Sequence, residues 1–109
     1  MKADRSIFTV LLLVTAAVFQ LLAQQNEADR KVLAEIRAGA DKGDAKAQYG
    51  LGVMYVDGRG VPQDYVEAHK WFNLAKEIKL RDQAATVMTP AQIAEAQKLA
   101  REWKPTPPN

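Results

Sequence analysis

The run from Ile7 to Ala23 constrains this chain more than any other feature: seventeen consecutive residues carry no charge, and only Thr9, Thr15 and Gln20 interrupt their apolar character. A polar start precedes it, with Lys2 and Arg5 against a single Asp4, and Ala23 stands before the polar Gln24-Gln25-Asn26. A basic start, an apolar middle and a small residue before a polar stretch form the pattern of a secretory signal peptide, with the cut expected after Ala23. Leu21, three positions before that cut, is bulkier than the small residue cleavage prefers. The competing reading is an uncleaved membrane anchor, although at ~1.5 Å per residue the run spans roughly 25 Å against a hydrocarbon core of about 30 Å. Either reading carries the rest of the chain across the inner membrane. A cut chain is periplasmic or secreted, and an uncut one is anchored in the inner membrane facing the periplasm.

Removing the first 23 of 109 residues leaves 86, enough for one small domain. With 48% hydrophobic and 26% charged residues, the chain is too apolar for disorder and too charged for a membrane bundle. The net charge of +2 leaves no basic footprint for nucleic acid. No cysteine is present, which excludes disulfides, a thiolate nucleophile and a zinc knuckle. Ser6 is the only serine and lies before the apolar run, so neither a Ser-His-Asp nor a Cys-His arrangement is available to the remainder.

Apolar periodicity after Ala23 predicts four helices and no strands. The first covers roughly Glu27 to Lys42, with Leu33, Ile36 and Ala40 on one face and Gly43 placed to end it. Asp44 caps a second, about Ala45 to Val56, whose inner stripe is Ala47, Gly50, Leu51 and Met54. Ala47 and Gly50 are small enough to let a neighbouring helix approach closely. Gly58, Gly60 and Pro62 make the next segment a loop, and Asp64 has capping-box spacing to Glu67. The third helix then runs to about Lys79, with Ala68, Trp71, Phe72, Ala75 and Ile78 on one stripe. Thr89-Pro90 starts the fourth, whose inner face is Ile93, Ala96, Ala100 and Trp103. Pro105, Pro107 and Pro108 end it and leave a flexible tail over 105–109.

The segments Ala45-Lys46-Ala47-Gln48-Tyr49-Gly50-Leu51-Gly52, Gly58-Arg59-Gly60-Val61-Pro62 and Ala68-His69-Lys70-Trp71-Phe72-Asn73-Leu74-Ala75 closely resemble a Sel1-like repeat. That family is a helix-turn-helix relative of the tetratricopeptide repeats. Its pattern places Ala47, Gly50, Leu51, Gly58, Gly60, Pro62, Ala68, Trp71, Phe72 and Ala75 at repeat-defining positions. The resemblance implies an all-α fold: one α/α hairpin over 44–79, an N-terminal capping helix or degenerate repeat over 24–43, and a C-terminal capping helix over 80–104. Ala40 and Ala75 lie one repeat length apart, as do Gln48 and Gln83. No second Leu-Gly motif follows Ala75, so a long solenoid is not expected. One repeat between two caps is a minimal core, and self-association is one way to complete it.

What the resemblance implies for function is adaptor or scaffold work: a non-enzymatic module that binds another protein, without cofactor or metal. In a two-layer repeat the first helices of the hairpins line an open concave face, which here falls to residues of the predicted Ala45–Val56 helix off its packing stripe. Gln48, Tyr49, Gly52 and Tyr55 are the candidates here, with His69 at the groove edge. Tyrosine suits such a surface because it combines apolar area with a polar tip. Asp41, Asp44, Asp57 and Asp64 are spaced wrongly for a calcium loop, and two of them are expected as caps. Two other readings stay open: a membrane-tethered structural subunit of a larger complex, and an envelope hydrolase of the kind found among disulfide-tied Sel1-like proteins that bind β-lactams or cell-wall precursors.

Overall fold

The computed structural model describes residues 4–108. Lys2 of the basic start and Asn109 of the tail lie outside the described residues. Five helices follow one another: α1 (Arg5–Asp41), α2 (Ala45–Asp57), α3 (Tyr65–Leu74), α4 (Ile78–Ala85) and α5 (Pro90–Glu102). Among the described residues there is no strand, and the all-α helical-hairpin architecture stands.

The expected caps form as their chemistry requires. Asp44 accepts from the backbone amides of Lys46 and Ala47, and Asp64 accepts from that of Glu67. Thr89 and Gln92 make a reciprocal capping box, with Pro90 at the first helical position. Gly43 and Gly58 take positive φ of 97° and 65° just past the ends of α1 and α2.

The helices alternate in direction, so the bundle has two ends. At one end, Asp29 of α1 meets the loop after α2; at the other, Gly43 lies beside the Trp103 ring at the end of α5. α2 packs between α1 and α3, and α3 packs against α4 and α5. Ala40, Leu51 and Trp71 form the central cluster, with Leu33, Ile36, Ala47, Tyr55, Leu74 and Trp103 around it. Trp71 and Trp103 meet edge to face at 6.1 Å, and Ala96 and Ala100 give α5 a face small enough to lie close on α3.

Four expectations need correction. α1 is one helix from Arg5 onward, with no break between the apolar run and the segment predicted to start near Glu27. α3 stops at Leu74, because Lys76 adopts a left-handed φ of 63° and turns the chain. The residues beyond it form a separate helix, α4. Close helix approach does occur at Ala47, where a Cβ on Gly39 would lie 2.9 Å from its own, and also at Gly52, where a Cβ would lie 2.6 Å from the Phe72 ring. At Gly50 the nearest neighbour, Ile36, would stand at an ordinary 3.6 Å, so that glycine is not what lets α1 and α2 meet.

Candidate functional site

The proposed binding residues fall into different environments. Tyr49 is partly exposed, with its ring 6.4 Å from that of Phe72. Tyr55 faces a different side of α2, against the Ala40–Leu51–Trp71 cluster, and its hydroxyl accepts from the Arg37 guanidinium at 3.1 Å. Burial raises the Tyr55 pKa above the ordinary phenol value. The two tyrosines therefore do not share one face.

Gln48, Gly52 and His69 are all buried, so the structure removes them from the open surface predicted for them. Gln48 is 2% exposed and donates from Nε2 to the Ala40 carbonyl, an acceptor at the end of α1. Gly52 is the contact point for Phe72. His69 is 3% exposed because α4 and α5 both close over α3, and its Nδ1 has no hydrogen-bond partner among the described residues. Burial, reinforced by the nearby Arg81 charge and opposed by Asp82, holds its pKa below the ordinary value of 6.5. Arg81 is itself fixed by Asn73, which accepts from its guanidinium at 3.0 Å.

An open apolar feature lies between α2 and α4. α4 packs on α3 but hardly touches α2, which leaves an apolar groove of about 350 Å³. Val53 and Val56 form one wall, Leu80, Gln83 and Ala84 the other, and Tyr65 and Phe72 the floor, with Val87 at the rim. Tyr49 stands beside that floor through its contact with Phe72. A concave, mostly apolar surface with few polar groups suits an apolar side chain or helix face. The sequence did not reveal this groove, because one wall belongs to α4. The pair Gln48 and Gln83, one repeat length apart, was the only trace of that helix.

On the other side of α3, Glu67 accepts from the Trp71 indole at 3.2 Å and pairs with Lys70 at 2.7 Å. The Lys70 ammonium stands 4.3 Å above the Trp71 ring. These contacts fix the indole that supports the central cluster. The acidic residues Asp44 and Asp64 are engaged as helix caps.

Residues 45–77 match the family model described as Sel1 repeat. The comparisons with curated proteins and with solved structures give no match. The matched stretch begins at the first residue of α2 and ends in the turn after α3, so the motif and the hairpin coincide. Sel1 repeats generally act as protein–protein interaction modules and are typically non-catalytic. The α2–α3 hairpin is thus the part of this all-α chain that matches a Sel1 repeat.

Proposed function

We propose that the chain is a non-enzymatic interaction module of the bacterial cell envelope, held at the inner membrane by α1 and facing the periplasm. Its groove between α2 and α4 receives an apolar segment of a partner protein. The groove carries this reading: α4 supplies a second wall beside the repeat, and no segment of the described chain fills the space between. Tyr49 belongs to the same surface as an exposed ring at its margin.

We read α1 as a retained anchor joined to the domain by continuous helix, a course that a signal peptide before cleavage would share. Helical backbone runs through Ala23–Gln24, the expected cleavage point, and none of the apolar side chains from Ile7 to Ala23 is buried in the domain. α1 is also long and apolar enough to cross a membrane. A non-catalytic role fits the burial of His69 and the lack of serine or cysteine beyond Ser6.

The test is photo-crosslinking in cells, with the reactive side chain placed at Tyr49 or at Gln83 and, as a control, at Gln97 on α5. A common adduct from the first two positions and none from the third is the expected result. Equal adducts from all three, or none from the groove positions, would reject the groove as the binding surface. Self-adducts alone would replace the adaptor with a homo-oligomer.

A further inference from the structure

The continuity of α1 turns it into a ruler between the apolar run and the domain. Asp29 lies six residues beyond Ala23, roughly 9 Å along the helix axis. The headgroup layer on each side of a bilayer is roughly 5–8 Å deep, so Asp29 stands at about its outer edge. Arg59 donates to Asp29 at 3.1 Å, which brings the loop after α2 to the same height. A Cβ on Gly60 would lie 3.4 Å from the Asp29 carbonyl oxygen, so loop and helix are in direct contact. A cleft of about 280 Å³ beside them is lined by Asn26 and Arg30 of α1 and by Val61 and Pro62 of the loop.

The same end of the bundle carries the mouth of the groove. Gln63 donates to the Val56 carbonyl at 2.8 Å and to the Tyr65 hydroxyl at 3.2 Å, tying the loop to Val56 and Tyr65. Val87, 61% exposed, shares the groove with both. Near this end the sequence carries both signs, Arg30, Lys31 and Arg59 beside Glu27, Asp29, Asp57 and Asp64. The opposite end, at Lys42, lies nineteen residues beyond Ala23, roughly 28 Å along the axis.

We propose that the Gly58–Pro62 loop and Val87 rest on the lipid headgroup layer of the membrane that α1 enters. The occupant of this face is the zwitterionic lipid surface, engaged by apolar tips and a rim of mixed charge that has no cationic excess to call for anionic lipid. The inference builds on the retained anchor: with α1 in the bilayer, the domain lies against the membrane and its groove opens next to it.

The chain has no cysteine, so single labelling sites can be introduced cleanly. The full chain is reconstituted into phosphatidylcholine vesicles as Val61→Cys, Val87→Cys and Lys42→Cys, each carrying a polarity-sensitive fluorophore. Nitroxides on the lipid headgroups should quench the labels at 61 and 87 several-fold more than the label at 42. Added anionic lipid or raised salt should leave that ratio unchanged. Pro62→Cys replaces Val61→Cys if circular dichroism shows that the latter has lost helicity. Equal, weak quenching at all positions in protein that sediments with the vesicles would overturn the headgroup contact and leave the anchor standing. Quenching that requires anionic lipid would overturn the zwitterionic assignment. Protein that stays in the supernatant would overturn the anchor, and the contact with it.

Discussion

From Ile7 to Ala23, α1 carries apolar side chains on every side and buries none of them in the domain; from Leu33 to Ala40 the same helix puts apolar groups on one side and packs that side. The second half follows the rule for a helix at the surface of a soluble core, a stripe facing inward and polar residues facing water. The first half has no polar face, the pattern shared by membrane-spanning helices and the apolar part of signal peptides. Backbone hydrogen bonding cannot tell the halves apart, since both satisfy it internally. What separates them is the angular spread of the apolar residues.

The comparison can be broken from either side. The largest effect is expected from Phe72→Ala, because its ring is 2% exposed and fills the space that Gly52 leaves open. The loss should be about 3–5 kcal/mol, read from the thermal unfolding of the full chain, with vesicle association unchanged. Leu12→Arg tests the other half. It should cost about 2.5–3.5 kcal/mol of membrane insertion and leave the unfolding temperature of the domain where it was. A shift in that temperature would mean that the two halves are not independent.

A third effect concerns His69, whose folded-state pKa lies below 6.5 because burial penalises the imidazolium. Between the ordinary value and the lower folded one, the unfolded chain binds more protons, so stability rises with pH. The domain should hold full stability above pH 6.5 and lose it progressively on acidification below that value. His69→Gln should flatten this slope in equilibrium unfolding measured across the range. The smallest change is expected from Arg59→Gln. Its side chain is 61% exposed although it pairs with Asp29, so stability should fall by less than about 1 kcal/mol.

Much of the hairpin was legible because its punctuation is chemical. Asp44, Asp64 and Thr89 are residues whose side chains accept from exposed helix amides, and the helices begin where those residues stand. α4 carries no such signal: Glu77 makes no side-chain cap bond, and a lysine occupies the left-handed position that ends α3, where glycine or asparagine would have marked the stop. With α4 unseen, His69 read as a groove-edge residue and the real groove had only one wall. Gln48 failed for a different reason. A polar residue on a helix normally signals solvent, but here it is buried to satisfy a carbonyl at the end of α1. Tyr49 and Tyr55 read as one surface, yet their separation along α2 turns them to different neighbours.

The chain also closes on itself: beyond α5, the Thr106 amide donates to the Asp41 carbonyl at 2.7 Å, beside the last turn of α1. That closure bears on mechanics. A pull along α1 acts parallel to its row of contacts through Leu33, Ile36 and Ala40, which share the load in shear and do not peel one after another. The Thr106 bond ties the segment after α5, expected as flexible, to the same helix, so a tug on that segment loads this bond before it reaches α5.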